Sequence, residues 1–138
     1  MINKREVINL KLPFPNIDSG LAKKRHMYIC KDSKPNYSFI KSQTFKASIL
    51  LHVKNYIVES PDLERNPFSK KTLIDLDKEF HINKSVIISR ESLCRGSRQD
   101  VCEELFEEII GGADIPLHQN FIDEAIIDLN QDYLSKVV

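Results

Sequence analysis

The sequence predicts a mainly β protein, a small antiparallel barrel followed by a helical appendage. Three observations support this fold class. Short apolar segments alternate with turn residues as far as residue 89, a helical repeat of apolar residues first appears after residue 97, and a length of 138 residues suits one compact domain. We therefore expect a barrel domain with its own helix over residues 1–112 and a helical extension over residues 113–138.

Five or six short strands are expected. Ile8, Leu10 and Leu12 alternate with polar residues until Pro13 and Pro15 end the pattern. The other predicted strands are residues 27–30, 37–40, 53–58, 72–76 and 86–89. An exposed strand edge can pair with another molecule, and closure into a barrel removes such edges. The stretch between the first two strands, residues 16–24, is predicted to be an exposed loop because it combines Asp, Ser, Gly and consecutive lysines.

Two amphipathic helices are expected after the strands. In the first, apolar residues recur every three to four positions while glutamates fill the other face. Ser97 is the predicted N-cap, and Gly111 and Gly112 are predicted to end the helix. The second apolar repeat runs from residue 121 to residue 134.

The net charge of zero conceals a separation of charge along the chain. Basic residues outnumber acidic ones ten to three over residues 1–46, whereas acidic residues outnumber basic ones ten to two over residues 97–138. A basic segment can meet phosphates, and an acidic one suits solvent or a basic partner. The alternative is that the two segments neutralise each other within the fold.

The cysteines and histidines do not form a recognisable site. Cys30, Cys94 and Cys102 are widely spaced, and the four histidines are equally scattered. Neither a CxxC pair nor a His-rich cluster supplies the spacing of metal ligands. The sequence therefore predicts reduced, mostly buried thiols and no metal or other cofactor.

The location is predicted from what the sequence lacks. No apolar run approaches the roughly 20 residues that span a bilayer. Residues 1–11 lack the apolar core and cleavage site of a signal peptide. We expect a cytoplasmic protein without a membrane partner.

Two segments near the start of the chain resemble a known family. Residues 5–16 read REVINLKLPFPN, and residues 24–30 read KRHMYIC. Together they resemble the opening of MazF/PemK-type toxins, in which a strand ends in a Pro-Phe-Pro-like turn and a glycine-bearing loop leads to Arg-Pro and an apolar strand. The likeness covers residues 4–110 and is specific over the first thirty or so positions. Residues 113–138 have no clear counterpart.

The resemblance implies an SH3-like barrel, usually dimeric, that cleaves single-stranded RNA at short sequences without a metal. The 2′ hydroxyl attacks the adjacent phosphorus, leaving a cyclic phosphate and a 5′ hydroxyl. The resemblance also implies a cognate antitoxin protein that inhibits the enzyme. As an inhibitor of a phosphate-binding groove, it would present acidic and apolar side chains in place of RNA.

Three residues are carried over as catalytic candidates. Arg25 matches the family arginine, which stabilises charge on the phosphate and is credited with proton transfer; the alternative is a surface charge beside a strand. Ser42 fits the family's hydroxyl residue best by position, with Thr44 as its competitor, unless both satisfy turn hydrogen bonds. His26 stands where the family has proline. The alternatives for His26 are a proton shuttle beside Arg25 and a structural histidine. Because neighbouring strand residues point to opposite faces, the structural role is the favoured prediction.

Further residues are candidates for binding RNA. Lysines near the proposed site can contact phosphates, and an aromatic ring can stack on a base. The alternative for the lysines is ordinary solubility, and that for the aromatic residues is a place in the core. The RNA-binding candidates are Phe14, Lys23, Lys24, Lys41, Gln43 and Lys46, with Phe45 as a second possible stacking residue.

A noncatalytic RNA-binding or protein-binding barrel is the competing prediction. Its specific form is a gyrase inhibitor, because CcdB-type proteins share the barrel architecture. The chain contains no Trp, and its end, residues 135–138, lacks the Trp-Gly-Ile sequence associated with that activity. The gyrase-inhibitor prediction is therefore the weaker one.

Overall fold

A computed structural model describes residues 1–12, 24–113 and 116–136. Over these residues the chain forms short strands, two α-helices and two turns of 3₁₀ helix. The strands are β1 (Val7–Leu10), β2 (His26–Asp32), β3 (Tyr37–Thr44), β4 (Tyr56–Glu59), β5 (Thr72–Ile82), β6 (Val86–Ile88), β7 (His118–Phe121) and β8 (Leu134–Lys136). The helices are α1 (Glu103–Gly112) and α2 (Glu124–Leu129), and the 3₁₀ turns are Ala47–Leu51 and Arg90–Ser92. The mainly β class is confirmed.

The main sheet has the strand order β1-β2-β3-β5-β4, and every pair along this path is antiparallel. Strand β3 occupies one edge of β5 along its whole length. The other edge is shared, because β4 pairs with the first part of β5 and β7 pairs in parallel with the later part. Strands β6 and β8 form a separate antiparallel pair.

The sheet is not closed into a barrel. Among the described strands, no pairing joins β4 to β1. The outer edge of β1 is covered instead by the segment before α1, where Val7 N–H donates to the Gln99 carbonyl and Cys94 N–H donates to the Val7 carbonyl, both at 2.9 Å. Backbone groups that would template pairing with another molecule are therefore satisfied within the chain.

Both faces of the sheet are buried. The first face packs against β6, β8 and α2, and the second packs against α1 and the loops around it. The first face carries Ile8, Tyr28, Phe39 and Phe80, and the second carries Val7, Ile29, Ile40 and Ile74. Strands buried on two sides read as continuous apolar runs, which is why β2 and β3 lack strict alternation.

The structure corrects three predicted strand boundaries. Strand β3 continues to Thr44 rather than ending at residue 40, β5 continues to Ile82 rather than ending at residue 76, and β4 begins at Tyr56 rather than at residue 53. The pairing of β3 with β5 shifts register between Ile40 and Lys41, so a bulge interrupts the apolar pattern there. The charged residues in the middle of β5 interrupt its apolar pattern, so the sequence did not indicate that the strand continues beyond them.

The prediction of the first helix was right in its apolar face and wrong at its start. Cys102 is the N-cap of α1, and its sulfur accepts a hydrogen bond from Leu105 N–H. Ser97 lies outside the helix, in a bend between Cys94 and Gln99, the two residues that hydrogen-bond to Val7. The helix ends at Gly112, the second of the two glycines. None of the described helices is long and apolar enough to cross a membrane.

The C-terminal segment contains a helix, as expected, but the predicted run over residues 121–134 is mostly not helical. Helix α2 has 6 residues, and strands β7 and β8 stand on either side of it. Because β5 offers an unpaired edge, pairing with β7 overrides the helical periodicity of the sequence. Ile127 and Leu134 then enter the core cluster on the first face of the sheet.

Asn130 joins this segment to the end of the first strand. Its carboxamide oxygen accepts from Lys11 N–H, and its Nδ2 group donates to the carbonyls of Lys11 and Ile126, each at 2.8 Å. The side chain is 2% exposed. A single amide thus pairs with residue 11 as a neighbouring strand would.

We expect Asn130→Ala to lower the free energy of unfolding by about 1–3 kcal/mol, because it leaves buried backbone groups unpaired. Gln131→Ala is the matched control. Gln131 is exposed, so its replacement should change stability by less than about 0.5 kcal/mol. Urea denaturation measures both, and equal stabilities for the two variants would contradict the role given to Asn130.

Candidate functional site

A polar cleft of about 290 Å³ opens at one end of the main sheet. Antiparallel pairing creates it, because the start of β2 lies beside the end of β3 and the end of β3 lies beside the start of β5. In register, Met27 pairs with Ser42, and Thr44 pairs with Thr72. The lining residues are Asn9, Arg25, His26, Met27, Ser42, Gln43, Thr44, Phe68, Ser69, Lys70 and Thr72.

The cleft brings together four of the residues singled out from sequence: Arg25, Ser42, Gln43 and Thr44. Its formally charged lining residues are Arg25 and Lys70, and no carboxylate is found among the lining residues that the structure describes. The cleft therefore combines positive charge with hydroxyl and amide groups. This composition suits an anionic ligand rather than a cation.

Arg25 is held by two residues of the C-terminal segment. Its Nη2 group donates to the Asp132 carboxylate, and its guanidinium carbon lies 4.6 Å from the centre of the Tyr133 ring. The hydrogen bond that Arg25 donates to Asp132 raises the pKa of Arg25 above its already high ordinary value. Arg25 is thus a permanent cation with a fixed orientation.

The two candidate hydroxyls differ in accessibility. Ser42 is 1% exposed, and its Oγ donates to the Met27 carbonyl at 2.9 Å. Thr44 is exposed at the end of β3. Position in the sequence favours Ser42 as the residue that meets a ligand, whereas accessibility favours Thr44.

His26 and Arg25 both line the cleft, although adjacent strand residues were expected to face opposite ways. The alternation does not apply to this pair because β2 begins at His26, so Arg25 precedes the strand. His26 is half-buried beside Leu10, its partner in β1.

Lys41 lies on the opposite face of the sheet from the cleft. It pairs with Tyr28 and Asp75, whereas its neighbour Ser42 pairs with Met27 and is therefore turned the other way. Burial lowers the pKa of Lys41, and the nearby Asp75 carboxylate opposes that effect. The structure thus separates Lys41 from the cleft residues with which the sequence grouped it.

The other RNA-binding candidates that the structure describes, Lys24, Phe45 and Lys46, are not among the cleft residues. Lys24 is exposed next to Arg25, and Lys46 is exposed at the start of a 3₁₀ turn. Phe45 carries Lys71 over its ring, with the ammonium nitrogen 4.6 Å from the ring centre. Phe14 and Lys23 lie outside the described residues.

Lys70 is the cleft cation that sequence reasoning missed. It lies in the loop before β5, where Pro67 and two consecutive lysines indicate an exposed turn but give no clue to its neighbours. Asn9 and Ser69 were missed as well. Only the pairing of β3 with β5 brings this loop to the end of β3.

Two kinds of chemistry receive no support from the described residues. They contain no group of three or more His, Cys, Asp or Glu side chains placed to hold a metal ion. Burial raises the pKa of Cys30 to about 12 and that of Cys94 to about 11, which keeps both thiols protonated and poor as nucleophiles.

The chain matches no protein-family model, no curated protein and no solved structure. The resemblance to MazF/PemK-type toxins therefore remains a hypothesis that rests on the residues quoted for it.

We expect Ser42→Ala to lower the free energy of unfolding by about 1 kcal/mol, because it removes a buried hydrogen bond to the Met27 carbonyl. Thr44→Val should change stability by less than about 0.5 kcal/mol, since Thr44 is exposed. Chemical denaturation of both variants tests this difference. A larger loss for Thr44→Val would contradict the contrast drawn between the two hydroxyls.

Proposed function

We propose that this protein is a metal-independent endoribonuclease of the MazF/PemK toxin type, which cleaves single-stranded RNA and is inhibited by a cognate antitoxin. The observation that carries the proposal is the meeting of Arg25, Ser42, Gln43 and Thr44 in one cleft. These residues were predicted from the sequence resemblance, which contains no information on their arrangement in space. Their convergence is what a shared site requires.

The cleft residues suit the chemistry of 2′-hydroxyl attack. As the 2′ oxygen bonds to phosphorus it loses its proton, the bond to the 5′ oxygen breaks, and that oxygen takes up a proton. Arg25 stabilises the negative charge that develops on the phosphate oxygens. Thr44 donates a hydrogen bond to the same phosphate, and His26 is the lining residue able to carry a proton. Ser42 supports the site through its bond to the Met27 carbonyl.

The proposal extends to a homodimer and to a relationship with SH3-like barrels. The antiparallel strand order β1-β2-β3-β5-β4 supports this relationship, although the described strands form an open sheet. The dimer follows from the resemblance alone. We further propose a cytoplasmic location, as the sequence suggests.

The antitoxin is proposed to occupy the same cleft as RNA. An acidic segment that lies across Lys24, Arg25 and Lys70 would satisfy the cations that RNA phosphates otherwise meet. The acidic face of α1, which includes Glu103 and Glu107, would repel such a segment.

A noncatalytic RNA-binding protein is the second candidate. Two contacts favour it, because each occupies a group that catalysis would need. The Ser42 hydroxyl donates its proton to the Met27 carbonyl, and Arg25 donates to the Asp132 carboxylate. Such a protein would bind RNA in the cleft without cutting it.

Incubation of the purified chain with a mixed RNA pool in the presence of chelator distinguishes the two candidates. Mapping of new 5′ hydroxyl ends detects cleavage. Arg25→Ala should lose about 3 kcal/mol of transition-state stabilisation, which is roughly a hundredfold in rate. Arg95→Ala is the matched control, since it removes an exposed arginine that does not line the cleft. Cleavage that requires added divalent metal, or a normal rate for Arg25→Ala, would refute the proposal.

RNA affinity should depend on Lys70 and not on Lys41, because only Lys70 lines the cleft. Lys70→Ala should weaken binding and reduce the slope of log affinity against log salt by about 0.7, the contribution of one phosphate contact to a single strand. Lys41→Ala should leave both quantities near the wild-type values. Fluorescence anisotropy with a non-cleavable oligonucleotide at several salt concentrations measures them, and equal losses for the two variants would place the RNA elsewhere.

A further inference from the structure

Arg25 receives its two closest side-chain contacts from one turn near the C-terminus. Asp132 accepts a hydrogen bond from Nη2, and the Tyr133 ring lies against the guanidinium at 4.6 Å. Neither Asp132 nor Tyr133 lines the cleft, whereas Arg25 does. The two residues therefore contact Arg25 from outside the cleft and do not fill the space that a ligand would use.

The turn that carries them is itself firmly anchored. Tyr133 N–H donates to the Asn130 carbonyl at 2.9 Å, and the Tyr133 carbonyl accepts from Ser89 N–H at 2.8 Å. Asn130 is fixed to Lys11, and the next residue, Leu134, is buried in the core. The contacts to Arg25 thus come from a rigid support on the body of the fold.

Within the described part of the chain, Asp132 and Tyr133 leave most of the Arg25 donors without a partner. A guanidinium has five N–H groups in a planar fork, and Asp132 engages Nη2. Among the described residues, the Tyr133 hydroxyl adds a weaker hydrogen bond to the guanidinium, and the Arg25 side chain is 38% exposed. A planar fork with unused donors at the wall of a cleft matches the geometry of an oxyanion.

We propose that Asp132 and Tyr133 are positioning residues that fix the Arg25 guanidinium so that its unused N–H groups form a phosphate site in the cleft. That the phosphate belongs to RNA rests on the proposed function. The contacts with Asp132 and Tyr133 restrict the conformations of the Arg25 side chain when the protein folds. Phosphate binding therefore does not carry the entropy cost of ordering this side chain. The competing explanation is that the Asp132 carboxylate occupies the place of phosphate and inhibits binding.

The first readout is the NMR signal of the Arg25 Nε–H group in the full chain, titrated with inorganic phosphate. Wild type should show an ordered Nε–H group whose signal shifts with phosphate. Asp132→Ala and Tyr133→Leu should both raise its mobility and reduce the shift at a given phosphate concentration. Tyr133→Phe keeps the ring and loses only the weaker contact of the hydroxyl, so it should lie much closer to wild type than Tyr133→Leu. Because Asp132 is exposed, Asp132→Ala is expected to fold even if Tyr133→Leu does not.

The second readout is affinity for a non-cleavable RNA oligonucleotide. Asp132→Ala should bind about tenfold more weakly than wild type, the scale of one hydrogen bond to a charged group. Asp128→Ala is the matched control, because it removes an exposed negative charge from the same segment without touching Arg25. It corrects for the general gain in RNA attraction that loss of an acidic residue produces.

Unchanged mobility of the Arg25 Nε–H group in both Asp132→Ala and Tyr133→Leu would overturn the inference. Tighter phosphate binding by Asp132→Ala than by Asp128→Ala would overturn it in favour of inhibition by Asp132. A wild-type signal that shifts with phosphate while RNA neither binds nor is cleaved would refute the proposed function and still support the phosphate site.

Discussion

The fold depends on the way in which β5 uses both of its edges. One edge pairs with β3 from end to end, which fixes Ser42 and Thr44 beside the start of β5 and so forms one wall of the cleft. The other edge pairs with β4 and then with β7. Pairing with β7 draws the C-terminal segment onto the sheet, and this segment ends in the turn that holds Arg25. The cleft and the support of its arginine therefore both follow from the pairing of β5.

Strand β5 carries buried charges, each of which has a specific partner. Asp75 lies 2.7 Å from Lys78, and Glu79 accepts from Ser38 and lies 3.0 Å from Lys31. A buried carboxylate is costly unless charged or hydrogen-bonded groups surround it. Asp77 meets this requirement differently, because its carboxylate accepts the N–H groups of Lys54 and Asn55 at 2.7 and 3.0 Å and shapes the turn before β4. The carboxylates of β5 thus bind residues of β2, of β3 and of the turn before β4.

Much of the sheet could be predicted from the sequence, because β1, β2 and the first half of β3 are apolar runs bounded by turn residues. The second half of β5 could not, since its acidic residues resemble those of a loop until their partners are known. The same limit applies to the cleft. Arg25, Ser42, Gln43 and Thr44 were named from a resemblance, but the contact between Arg25 and Asp132 joins residues 107 positions apart. No local pattern encodes such a contact.

The prediction of a closed barrel shows the same limit of reasoning from sequence. The argument from sequence was that free strand edges must be removed, and the structure covers the outer edge of β1 and the later part of β5 without joining the first strand to the last. The segment before α1 hydrogen-bonds to the outer edge of β1, and β7 covers the later part of β5. The physical requirement was identified correctly, whereas the solution depended on the segments around residues 93–101 and 118–121, whose strand character is weak in the sequence.

The basic and acidic segments of the chain partly neutralise each other through specific ion pairs. Arg5 pairs with Asp100 at 3.5 Å and Arg25 pairs with Asp132, so part of the basic segment is neutralised by the acidic one. Such exposed pairs add little stability, so their main effect here is on geometry. Once its charge is balanced by Asp132, Arg25 attracts a distant polyanion only weakly and acts through the direction of its hydrogen bonds. If the ligand is RNA, as proposed, long-range attraction would then fall to the exposed Lys24 and Lys70, and Arg25 would act at short range.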